Sequence, residues 1–133
     1  GFSASPQLLS YSEFLDRTDF LIAGANRRQE QNMLLHIQIP YASLNKKTIM
    51  QQLTDAGLKV FRAHYDVMSQ RNRQEFIIFL QNTDHSGAEI AWQRYEDELR
   101  QRFTVLDFPF QVEILPVRSS VEETLKQRKV VDQ

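Results

Sequence analysis

The sequence predicts an α+β domain in which a β-α-β-β-α-β sandwich follows an additional N-terminal helix. Apolar residues recur at three- and four-residue steps over Tyr11 to Ala25 and again over Ala88 to Phe103, the period of helices with one buried stripe. They alternate every second residue over Leu34 to Ile39 and Phe110 to Ile114, the period of strands with one covered face. Between them, Phe76-Ile77-Ile78-Phe79-Leu80 is apolar without a break, as expected of a strand covered on both faces.

Each element has its own signals. Residues Gly1 to Leu9 have no period and read as a lead-in. Ser10 and Glu13 form a capping box with Leu9 as its staple, so a helix starts near Tyr11. Phe14, Leu15, Thr18, Leu21, Ile22 and Ala25 make its stripe, and it runs out at Arg27 to Gln31. The strand over Leu34 to Ile39 is stopped by Pro40. Ser43 is placed to cap a second helix carrying Leu44, Ile49, Met50, Leu53 and Ala56, with Gly57 as its stop. Val60 to Val67 alternates and reads as a strand, with Arg62, His64 and Asp66 on one face. Ser69 to Gln74 is polar and reads as a longish loop, so the strands on either side form a hairpin. Asp84 or Ser86 caps a third helix with Ala88, Ala91, Trp92, Tyr95, Leu99 and Phe103 inward. The last strand ends at Pro116, and residues 118–133 read as a polar tail with a weak helical pattern, a candidate for disorder.

The 133 residues fall within the usual span of about 100 to 150 for one domain, so a single unit is expected. It comprises a lead-in and helix over 1–31, the core over 33–117 and the tail. Sixteen Lys and Arg against seventeen Asp and Glu leave a net charge of −1, too weak a field for a dedicated nucleic-acid binder. The lack of cysteine removes disulfides, thiolate nucleophiles and Cys-based metal sites. No apolar run reaches the roughly 18 residues of a membrane span. Because the chain starts at Gly1, it is read as excised from something longer. Cytoplasm is expected, including the cytosolic side of a membrane protein anchored through a parent chain.

The apolar strand needs a cover on its second face. Either the Tyr11 to Ala25 helix lies across it, or His36, Arg62, His64, Ile77 and Phe79 form a patch for another subunit or a partner protein. Ser43, Asn45, Lys46 and Lys47 crowd the start of the second helix, where free amides and two cations suit a small anionic ligand. His36, His64 and His85 are scattered, without metal-ligand spacing, so no metal, cofactor or catalytic residue is expected. Four separated glycines leave no phosphate-cradling loop. Rings on the third strand invite comparison with RNA-recognition folds, yet Gln74 and Glu75 stand where small residues are needed and His36 supplies no stacking ring.

The element order resembles ferredoxin-like folds, ACT-like domains among them. Tyr41-Ala42-Ser43-Leu44 stands where amino-acid-binding ACT domains carry an Asp-Arg-Pro-Gly loop. Arg94-Tyr95 through Phe103, followed by Phe108-Pro109-Phe110, resembles the end of the cytoplasmic α/β domain of small-conductance mechanosensitive channels. Both resemblances are short and assign no family. The sequence-level expectation is a non-enzymatic regulatory or assembly domain pairing with itself or a partner, with ligand sensing and RNA binding as alternatives.

Overall fold

The computed structural model describes residues 7–40, 46–103 and 110–131. They form a mixed α+β fold of five strands and four helices. In chain order these are β1 (Gln7–Leu9), α1 (Tyr11–Arg28), β2 (Asn32–Gln38), α2 (Lys46–Val60), β3 (Val67–Asn72), β4 (Glu75–Leu80), α3 (His85–Arg102), β5 (Gln111–Val117) and α4 (Val121–Val131). All five strands join one sheet in the order β1-β3-β4-β2-β5. Setting β1 aside, this is the strand order of a split β-α-β-β-α-β unit. The extra strand runs parallel to β3, the other pairs antiparallel.

β4 lies at the centre with neighbours on both sides, and its five residues from Phe76 to Leu80 are all buried. Alternation sends Phe76, Ile78 and Leu80 into a core shared with α2 and α3. Ile77 and Phe79 enter a second core with Phe14 and Ile22 of α1 and Val121 and Leu125 of α4. The N-terminal helix therefore covers the second face, as the uninterrupted apolar run requires, and a C-terminal helix shares the task. In the first core the Tyr95 hydroxyl donates to the Leu53 carbonyl at 2.6 Å, tying α3 to α2. The Tyr95 ring lies 4.8 Å from that of Phe61. Burial holds the Tyr95 phenol well above its ordinary pKa, so it stays a donor.

Several boundaries follow the expectations. Ser10 caps α1 by accepting from the Glu13 amide at 3.2 Å. Glu13 answers by taking the Ser10 hydroxyl at 2.9 Å in place of a backbone amide. Asp84 caps α3 through the Gly87 amide at 2.8 Å. The proposed Ser43 cap lies outside the described residues.

Four expectations are corrected. The second helix does not stop at Gly57 but runs to Val60, because Gly57 is where α2 presses on β3. A Cβ there would come within 2.3 Å of Met68 Sδ. Val60 to Val67 is not a strand despite its alternation. Asp66 folds the chain back by accepting from the Arg62 amide at 2.8 Å, and its own amide donates to the Arg62 carbonyl at 3.0 Å. The polar segment from Ser69 is strand and not loop, closed to β4 by the two-residue turn Arg73-Gln74, with a bulge between Gln70 and Asn72. Finally, Gln7 to Leu9 are not lead-in but β1, paired in parallel with β3, while the weak helical pattern of the tail is that of α4. Ser120 caps it by accepting from the Glu123 amide at 3.0 Å, a cap-and-glutamate pair like that of Ser10 and Glu13.

Substituting Gly57→Ala tests the α2–β3 approach. Overpacking of roughly 1–3 kcal/mol, offset by up to about 1 kcal/mol of helix propensity, should leave a net loss of about 1 kcal/mol in urea unfolding. A stabilised variant would show that the helix has room to retreat.

Candidate functional site

The two ends of the sheet hold different chemistry. At the hairpin end β2, β4 and β5 bring Gln38, Glu75 and Gln111 into register. With Ile39, Pro40 and Gln74 they line a recess of about 310 Å³. Glu75 is the one carboxylate of this recess, and the protein already uses it. His36 Nε2 lies 2.6 Å from Oε1. Arg71 Nη1 donates to both carboxylate oxygens at 2.8 Å, and Asn72 Nδ2 donates to Oε2. The bulge makes this possible, since the residue it leaves unpaired is Arg71, and Arg71 and Asn72 both reach the same acceptor.

The network continues under α1 and α4. Arg71 Nε donates to the Tyr11 hydroxyl at 3.2 Å, with the guanidinium 5.6 Å from the Tyr11 ring centroid. Tyr11 in turn donates to Glu122 of α4. On the other flank Glu113 of β5 receives Arg128 of α4. The hydrogen bond from His36 is the main reason that the Glu75 carboxyl is held down to about 2, helped by Asn72 and the Arg71 charge against the opposing effect of burial. Burial, with the hydrogen bond to Glu122, pushes the Tyr11 phenol up to about 12.

The opposite end carries a larger cleft, about 560 Å³, lined by the α1–β2, α2–β3 and β4–α3 turns and one side of α3. Its volume is in the range of about 300–1,000 Å³ usual for small-molecule sites. Arg62 and Arg94 line it together with Asn82 and Thr83, against apolar walls of Val60, Phe61, Leu80, Ile90 and Ala91, and its carboxylates are engaged within the protein: Glu30 by Arg28, Asp66 by Arg62 and Asp84 by the Gly87 amide. The Arg62 guanidinium is preset. It meets Asp66 at 2.9 and 3.2 Å, and it donates to the Gln81 carbonyl at 2.7 Å and Thr83 Oγ1 at 2.9 Å. Gln29, His64 and Asn82 have positive φ, one in each of the three turns. Backbone of this kind persists only where its surroundings fix it. Hydrogen bonds from the Asn82 amide to Asn32 Oδ1 at 3.0 Å and from the Thr83 amide to the Gln31 carbonyl at 2.8 Å join the first and third turns, and the Arg62–Asp66 bonds hold the second.

The partner-contact residues named from the sequence do not share one surface. His36, Ile77 and Phe79 are buried beneath α1 and α4, so a partner could reach them only if those helices moved. Arg62 and His64 sit in the exposed turn at the cleft and not on a strand beside them. Of the proposed anion site, Ser43 and Asn45 lie outside the described residues, and Lys46 and Lys47 begin α2. Among the described residues no cluster of three or more His, Asp or Glu could hold a metal ion. Sequence reading missed Tyr11, Arg71, Glu75, Arg94 and Arg128. The four-residue step from Arg71 to Glu75 was a usable signal once the two-residue turn between them is recognised.

No family profile matches the sequence, and no curated protein matches it. Solved structures share the fold. The chain is similar to a DGC protein from Thermotoga maritima, with a TM-score of 0.77 at 8% identity, over 92% of this chain and 93% of that one. It is similar to the GGDEF domain of FimX from Pseudomonas aeruginosa, at 0.73 and 16% identity over 94% and 88%. A third neighbour is the diguanylate cyclase SiaD of the same organism, solved with its activator SiaC, at 0.65 and 16% identity over 90% of this chain and 50% of that one. The fold is thus that of GGDEF cyclase domains. This overturns the expectation of a regulatory or assembly domain acting through its sheet, since the neighbours are cyclase domains and the sheet face in question is covered.

Glu75 supplies a pH test. Its carboxyl is depressed from an ordinary value of 4.5 to about 2, so its contribution to stability is complete above pH 4.5 and is lost as the pH falls toward 2. The contribution is on the order of 2–3 kcal/mol. Unfolding free energies of the wild type should fall more steeply with acid than those of Glu75→Gln, and parallel curves would sink the assignment. At neutral pH the same variant should lose about 1–3 kcal/mol, because His36, Arg71 and Asn72 are left with one neutral amide oxygen in place of a charged carboxylate.

Proposed function

We propose that the chain is a cyclase-derived domain that binds a guanine nucleotide at the Arg62–Arg94 cleft and does not carry out cyclisation. The cleft carries this reading. Two guanidinium groups, one fixed by an internal carboxylate, face a volume with apolar walls, a combination suited to a flat base and a phosphate. The neighbours direct attention to guanine nucleotides because they include diguanylate cyclases. At 8–16% identity that likeness concerns the fold alone, and ligand and reaction are inferences from this chain's own residues.

Two observations set the chain apart from a working cyclase. The pentapeptide GGDEF, after which the FimX domain is named, does not occur here. Glu-Phe occurs at Glu13-Phe14 and Glu75-Phe76, each time without Gly-Gly-Asp before it. Joining phosphates also calls for carboxylates free to hold divalent cations at the transferring group. At the hairpin recess the carboxylate is Glu75, which His36, Arg71 and Asn72 already engage.

Calorimetric titration with cyclic diguanylate and with guanosine triphosphate should show binding of at least one. Arg94→Ala should weaken it about tenfold or more, the loss of about 1.4 kcal/mol expected on removing one charged contact. Failure of both nucleotides to bind, or an Arg94→Ala variant that binds as the wild type does, ends the proposal. Incubation with guanosine triphosphate and magnesium should yield no cyclic diguanylate, and turnover abolished by Glu75→Gln would show an active cyclase instead.

A further inference from the structure

His36 is the one histidine sealed inside the described protein, 1% exposed in the middle of β2. Its Nε2 is used by Glu75, while its Nδ1 is buried with no hydrogen-bond partner. A buried polar atom left so costs about 1–3 kcal/mol and calls for an explanation. Nδ1 looks across the β2–β5 pair at Glu113, whose Oε1 is 3.9 Å away, too far for a hydrogen bond and close enough for a charge to be felt. Glu113 is the carboxylate that holds Arg128 of α4. A neutral imidazole donating from Nε2 turns a bare lone pair toward that carboxylate. An imidazolium turns an N–H toward it.

The charged groups around His36 come from every element packed against this face: Arg71 of β3, Glu75 of β4, Glu113 of β5, and Glu122 and Arg128 of α4. Tyr11 of α1 joins them as a neutral donor. Among the groups named here, two guanidinium groups stand against three carboxylates, and a protonated His36 would even the count. His36 is the titratable group in their middle.

We infer that His36 is a proton-binding switch that sets how firmly α4 is fastened over the sheet. Proton uptake evens that count and makes Glu113 a bridge from His36 to Arg128. Proton loss leaves α4 held by Arg128 to Glu113, by Tyr11 to Glu122 and by the apolar seats of Val121 and Leu125. Because α4 covers Ile77 and Phe79, its loosening would begin to uncover the most apolar strand of the molecule.

The test is amide hydrogen exchange of the whole chain across about pH 5.5 to 7.5, corrected for intrinsic exchange, with the imidazole resonances followed in the same samples. The α4 amides should be at least about threefold better protected at the acid end, with a midpoint that tracks His36 and not exposed His64 or His85. Glu113→Gln removes the bridging charge, leaves the His36–Glu75 contact in place and should flatten the response. Constant α4 protection in the wild type, a midpoint that follows His64 or His85, or a His36 ring that never titrates in the folded chain each overturns the inference. Should Glu113→Gln not fold, the wild-type profile decides alone, and a variant that folds and keeps the full response also overturns it.

Discussion

The molecule is organised around one demand, that the strand Phe76 to Leu80 be kept from water on both faces. Five consecutive buried apolar residues, at about 1.5–3 kcal/mol for each large side chain, make this one of the strongest local driving forces in the chain. One helical layer cannot meet the demand, because alternate side chains leave the sheet in opposite directions. Two layers are therefore needed, and they come from different places: α2 and α3 from the crossovers, α1 and α4 from the ends of the chain. Central placement of β4 follows, since an edge position would leave part of its backbone row open.

Where the apolar strand ends, polar chemistry begins on the same face. Moving along β4 from Phe79 through Ile77 to Glu75, the covering layer passes from hydrocarbon to a chain of charged groups. Arg71, Glu75, His36 and Glu113 are contributed by four different strands, and Tyr11, Glu122 and Arg128 by the two helices above them. Such a group is costly to bury unless its members satisfy one another, and their geometry supplies that satisfaction at almost every atom. The outlying helices are thus held by contacts of two kinds, side chains packed at one end of the face and ion pairs at the other.

Much of this was legible in the residues. Periodicity fixed α1, β2, β4 and α3, because each has a long, clean pattern and a recognisable cap. The α2–β3 junction misled for a physical reason. Phe61, Ala63, Tyr65 and Val67 alternate, but the Arg62–Asp66 hydrogen bonds close the backbone into a turn, and tertiary packing at Gly57 carries the helix past a residue that usually ends one. β3 was hidden because its outer half is polar for a purpose. Ser69 and Arg71 face the covered side, and Arg71 belongs to the ion-pair network, a role that composition alone presents as loop. The cleft was hidden for another reason: Arg62 and Arg94 lie far apart in sequence, and they line one cleft only because three turns are linked by long-range hydrogen bonds, those of the Arg62 side chain among them, that no local pattern encodes.

The two margins of the sheet differ from its interior in a way that bears on how the protein behaves at high concentration. One margin is β1, three residues long; the other is β5, which places Pro116 opposite Met33. A short ribbon gives an incoming chain little to zip onto, and a proline interrupts the row of donors that zipping would use. Growth of the sheet from one molecule to the next is thereby discouraged along β5, and little of β1 among the described residues invites it.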